Sequence, residues 1–101
     1  MNKQIDLDKM TDGAKNACHF LKALSHETRL LAICYIGDGE KSVHDLEKFL
    51  GTTQTTISQH LAKLRDKKIL DTRRDGNQVY YRVAKKKALR IIASLQDMFC
   101  S

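Results

Sequence analysis

Thr52-Thr53-Gln54-Thr55-Thr56-Ile57-Ser58-Gln59-His60-Leu61-Ala62-Lys63-Leu64-Arg65 is the stretch from which the rest of the chain is read. Ile57, Leu61 and Leu64 recur at helical spacing, so they share one face and point into a core. The opposite face carries Thr55, Ser58, Gln59 and the small Ala62, with Gln54 and Thr56 in the first turn and no acid before Asp66. An ordinary surface helix would display Glu and Lys there. Short hydroxyls and amides suit hydrogen bonds to base edges and phosphates, and their size lets a helix lie close in a groove. Thr53 is the expected N-cap, and the free N–H groups at that end favour a phosphate. His60, next to Gln59, is placed to donate to a phosphate, and Lys63 adds a cation.

Upstream, Asp45 to Leu50 reads as a short helix with Leu46, Phe49 and Leu50 inward, closed by Gly51. Short helix, tight turn and longer helix with a polar outer face make a helix-turn-helix. Downstream the period changes from 3.6 to 2. Ile69 to Arg74 and Gln78 to Val83 are predicted strands, and Asp75-Gly76-Asn77 supplies the positive-φ residues of a hairpin. In the second strand Val79, Tyr81 and Val83 face one side, Gln78, Tyr80 and Arg82 the other. A hairpin directly after a recognition helix is a wing, on which Arg73, Arg74 and Arg82 would carry cations to a phosphate backbone or minor groove. The plainer alternative is a solvated basic hairpin.

Residues 1–10 are expected to be a flexible N-terminus, and 11–101 a single winged helix-turn-helix domain for DNA binding and dimerisation. Ala14, Ala17, Cys18, Leu21 and Leu24 place a first amphipathic helix from Thr11 to about Leu24, with Cys18 packed on its apolar stripe. Ser25 is the expected cap of a second helix, with Glu27 in its first turn. Its body, Leu30 to Ile36, is apolar on nearly every side and predicts a buried helix stopped by Gly37-Asp38-Gly39. Glu40 to Val43 suits a short extended edge. The last helix, from about Lys85 to Phe99, carries Ala88, Ile91, Ile92, Leu95 and Phe99 as a stripe. The order is α-α-(β)-α-α-β-β-α, mainly α with a small β-hairpin. The first and last helices are more apolar than so small a core needs. Pairing them across a two-fold axis would bury the excess, and the homodimer would read two half-sites on double-stranded operator DNA.

Composition agrees with this. The chain has 101 residues, enough for one domain, and 18 Lys and Arg against 12 acids give a net charge of +6. The cations crowd between Lys63 and Lys87, where the acids are only Asp66, Asp71 and Asp75. No apolar run approaches the ~20 residues of a membrane span and no signal-peptide core is visible, so a cytoplasmic protein without a membrane partner is expected. No glycine-rich phosphate loop and no activating arrangement around a cysteine points to an enzyme, and no cofactor is implied. Cys18, Cys34 and Cys100 form no C-x-x-C pair; buried thiols, metal ligands and redox centres are all open to them. Cys34 in an apolar helix is ordinarily inert, whereas Cys100, near the end of the sequence, is expected to be exposed.

Three segments resemble the ArsR/SmtB family of bacterial winged-helix repressors: Leu21-Lys22-Ala23-Leu24-Ser25-His26-Glu27-Thr28-Arg29-Leu30, Thr55-Thr56-Ile57-Ser58-Gln59-His60-Leu61 and Val79-Tyr80-Tyr81-Arg82-Val83. The resemblance covers about Phe20 to Ser101 and implies a homodimer that leaves its operator when an inducer acts. Members that sense arsenic or cadmium carry a Cys-x-Cys where this chain has Ser42-Val43-His44. Members that bind zinc on the last helix use Asp, His and Glu ligands, of which only Asp97 stands between Ala88 and Phe99. The chain is similar instead to the thiol- and persulfide-sensing branch, the BigR/SqrR/HlyU/YgaV-like repressors, with one cysteine in the second helix and one after the last. That resemblance implies that Cys34 and Cys100 of one subunit become joined by a disulfide or polysulfide in response to reactive sulfur or an oxidant; apart from the resemblance, we expect Cys34 to be attacked first and Cys100 to resolve by thiol exchange. Cys18 is outside the shared pair. The alternative is a metal-responsive repressor with a non-standard set such as Cys18, Cys34 and Cys100.

Overall fold

The computed structural model describes residues 4–100. Its elements run α1 (Leu7–Leu24), α2 (Glu27–Ile36), β1 (Glu40–Ser42), α3 (Val43–Leu50), α4 (Gln54–Asp66), β2 (Leu70–Asp75), β3 (Gln78–Val83) and α5 (Lys86–Phe99). This is the expected order, and the optional strand is real. β1 joins the hairpin to give an antiparallel sheet in the order β1-β3-β2. Helix α1 starts at Leu7, ahead of the first apolar repeat, because Asp6 caps it by accepting the Lys9 N–H at 3.2 Å.

One core holds these elements together. Ile33 and Ile36 from α2, Leu46 from α3, Ile57, Leu61 and Leu64 from α4, and Ile69 before β2 are its largest fully buried side chains. The inward face of α4 is thus the one its spacing predicts. Thr53 caps α4, accepting the Thr56 N–H at 3.2 Å. Gly51 closes α3 in the left-handed conformation, which lets the chain reverse into α4 within a few residues. In the hairpin only Gly76 takes a positive φ; Asn77 does not.

Four local expectations are corrected. His26, not Ser25, caps α2: its Nδ1 accepts the Thr28 N–H at 3.1 Å, while Ser25 ends α1. Phe49 is not directed into the core but stays 49% exposed, stacked on Tyr35 with ring centroids 4.1 Å apart. Helix α2 is not buried all round, since Leu31 and Cys34 reach its open side. Cys18 is likewise exposed on α1 rather than packed. A helix apolar on every side has no preferred direction, so its sequence cannot say which flank lacks a neighbour.

Candidate nucleic-acid interface and thiol pair

Gln54, Thr55, Ser58, Gln59 and Ala62 line one shallow concavity on the outside of α4, with Thr56 and Lys63 exposed beside them. The buried Ile57, Leu61 and Leu64 hold this polar face outward. His60 does not share it. Half-buried, it turns toward the start of α2, where its Nδ1 accepts from Arg29 Nε at 3.2 Å and its ring lies 4.1 Å from that of His26. Arg29 Nη1 also donates to the Ala23 carbonyl at the end of α1, 3.2 Å away. Burial first, then His26 and Arg29, hold the His60 imidazole below its ordinary range. An uncharged ring whose Nδ1 is already engaged by Arg29 is poorly placed to meet a phosphate.

The wing has two unlike faces. Register puts Glu40 opposite Arg82 and Arg82 opposite Asp71, with Arg73 opposite Tyr80, all on one side of the sheet. There Arg73 stacks over the Tyr80 ring, 4.7 Å from its centroid, and reaches across the middle strand to Glu40 with hydrogen bonds of 3.0 and 2.8 Å. Arg82 pairs with Asp71 at 3.1 Å. The Arg73 hydrogen bonds hold the Glu40 carboxyl below the usual range, as the Arg82 bond and then the Thr72 N–H do for Asp71. Two of the three wing arginines are thus matched within the protein. Arg74 lies on the other face, in register with Val79, and has no ion-pair partner among the described residues. The pairings were hidden in the sequence because alternation in one strand does not show what stands opposite it.

Tyr81 is on the same side of the sheet as Arg74. With Arg65, Asp66 and Lys68 it lines a second concavity that continues past Ser58 and Ala62 of α4. Tyr81, Arg65 and Lys68 were not among the candidate residues. The only hint was the strand period, which sets Tyr81 on the helix-facing side.

Cys34 on α2 and Cys100 just after α5 are both free and exposed. Cys34 reaches solvent, yet the protein around it removes enough water to push its thiol up, and the charge of Cys100 pushes it further. Helix α2 packs against α5, the helix that Cys100 follows. Among the described residues no group of three or more His, Cys, Asp and Glu side chains is gathered as a metal site.

A short helix and tight turn ahead of a polar-faced helix, followed by a two-faced hairpin, define a winged helix-turn-helix DNA-binding protein. The profile of bacterial regulatory proteins of the arsR family matches residues 26–72, and the chain belongs to that family. It is 42% identical over 98 residues to the biofilm growth-associated repressor of Agrobacterium fabrum, spanning 97% of this chain and 84% of that one. The crystal structure of the transcriptional repressor BigR from Xylella fastidiosa superposes with a TM-score of 0.91 at 37% identity, covering 96% of this chain and 99% of that one. Reduced HlyU from Vibrio cholerae gives 0.85 at 32%, covering 92% and 98%. The chain is a DNA-binding transcriptional regulator, and no enzyme is found among these relatives.

Proposed function

We propose that this regulator is a homodimeric repressor released from operator DNA when Cys34 and Cys100 of one protomer are joined in response to reactive sulfur or an oxidant. The observation that carries the reading is that α2, which bears Cys34, packs against α5, the helix that Cys100 follows, although the two cysteines are far apart in the sequence. Both are open to a small reagent. Gln54, Thr55, Thr56, Ser58, Gln59 and Lys63 present the face that enters the major groove, and Arg74 supplies the unmatched wing cation. The groove of Leu21, Ile91, Leu95 and Met98 between α1 and α5, which Lys87, Arg90 and Ser94 also line, supports pairing of two copies, as does Phe99, 79% exposed nearby in sequence.

The raised thiol of Cys34 favours the reverse of the order expected from the sequence. A thiol that holds its proton is a poor first nucleophile. In this reading the Cys100 thiolate attacks the outer sulfur of a persulfide RSSH and expels RSH, leaving Cys100–S–SH. Cys34 then gives up its proton, and its thiolate attacks the Cys100 Sγ, forming the disulfide and expelling hydrosulfide. The two cysteines supply two electrons, and the sulfane sulfur leaves reduced. The link draws the end of α5 to α2 and changes how the two recognition helices are spaced.

Mass spectrometry of reduced protein treated with glutathione persulfide, beside gel shifts on DNA from its own promoter region, tests the proposal. A Cys34–Cys100 cross-link with loss of the shifted band is expected, and neither should occur in Cys34→Ser or Cys100→Ser. A normal response from Cys34→Ser sinks the sensing mechanism. Gln59→Ala should cost ~1–3 kcal/mol of preference for that DNA over random duplex.

A further inference from the structure

We infer that Ser58, Arg65, Lys68 and Tyr81 form a seat for one phosphate of the DNA backbone, the one that crosses between the recognition helix and the wing. The inference rests on the reading of α4 as the helix that enters the major groove. A helix in one groove and a hairpin reaching toward the next must have a sugar–phosphate strand between them, because that strand is what separates the grooves. The concavity between α4 and β3 lies where this strand would pass.

Its lining has the chemistry of an anion seat. Ser58 and Tyr81 bring hydroxyl donors, Arg65 and Lys68 bring cations, and the methyl of Ala62 leaves room for close approach. Neither cation has an ion-pair partner among the described residues. Two features oppose an anion here: the Asp66 carboxylate and the carbonyl end of α4. The carbonyls of Lys63, Leu64 and Arg65 are answered by the N–H groups of Lys67, Ile69 and Lys68, which leaves two cations against one carboxylate.

A second observation comes from the backbone. Lys68 has φ of 60° and is the one non-glycine with positive φ among the described residues. It closes α4 with Lys68 N–H to the Arg65 carbonyl at 2.9 Å and Ile69 N–H to the Leu64 carbonyl at 3.0 Å, a helix end that ordinarily takes glycine. The chain uses glycine where α2 and α3 end, at Gly37 and Gly51 with φ of 58° and 64°. At the end of the recognition helix it holds a lysine in that strained conformation instead. Backbone strain kept for one side chain points to a task for that side chain.

Lys68→Gly separates this from a purely structural role, since glycine relaxes the backbone while deleting the cation. On a fluorescein-labelled random-sequence duplex, titrated over a series of salt concentrations, the full-length variant should melt above wild type yet bind about tenfold more weakly. The slope of log K against log salt should become shallower by about one. Tyr81→Phe should weaken binding without changing that slope, because it deletes a neutral donor. Wild-type affinity and slope in Lys68→Gly overturn the seat. If that happens while Arg74→Ala still weakens binding, the seat alone is wrong and the groove reading stands; if wild-type protein binds no duplex, both fall.

Discussion

The α4 side of this molecule, proposed above as the reading side, and its thiol side are built on opposite plans. On the reading side, α4 holds short polar groups outward on a fully buried support of Ile57, Leu61 and Leu64. On the thiol side, Cys34 lies on the open flank of α2 beside Leu31, itself 43% exposed, and Cys100 follows a helix whose last residues, Met98 and Phe99, are largely in solvent. One region is fixed by packing before any partner arrives. The other has sulfurs and apolar side chains left uncovered. On the proposed function the difference is what each side requires: a surface that reads bases needs fixed geometry, and two thiols that become joined need access.

Two leucines break or sharpen this contrast most strongly. Leu61→Ala should cost about 2–5 kcal/mol in urea unfolding, because it opens a cavity under the reading face. Leu31→Ala should cost at most about 1 kcal/mol, since much of that side chain is already wet. Equal losses would mean that the thiol side is as tightly supported as the reading side.

A smaller effect is expected with acid. His60 is held below its ordinary range in the folded protein, so as pH falls the unfolded chain takes up the proton first. The stability linked to His60 is complete above the ordinary histidine value of about 6.5 and is lost as pH drops toward the folded-state value. His60→Gln should flatten that part of the urea-midpoint profile, and an unchanged profile would show that folding does not lower the proton affinity of His60. The smallest change is expected on the outer wing face. Glu40→Gln should leave the melting temperature where it is, because an exposed ion pair contributes little.

Much of the reading side was legible because its signals are local. The inward spacing of Ile57, Leu61 and Leu64, the Thr53 cap, Gly51 in the turn and the period change after Lys68 are each contained within a few residues. What was not legible depends on partners far along the chain. Nothing near His60 tells that Arg29 occupies its Nδ1, and nothing near Arg73 or Arg82 tells that Glu40 and Asp71 neutralise them. The exposure of Cys34 and Leu31 escaped for another reason: α2 has apolar residues on every flank, so no pattern marks the uncovered one. The His26 cap was missed because Ser25, a better capping residue by type, stands beside it and ends α1 instead.

The strand order also decides how the chain avoids sticking to itself. Val79-Tyr80-Tyr81-Arg82-Val83 is a strongly strand-forming run, β-branched and aromatic with a single charge. In the order β1-β3-β2 this run is the central strand, paired with β2 along its length and with β1 from Tyr80 to Arg82. The free margins fall to a three-residue strand bearing Glu40 and Lys41 and to one bearing Asp71, Arg73, Arg74 and Asp75, poor templates for a foreign strand. Protection against fibre-like stacking is therefore built into the wing.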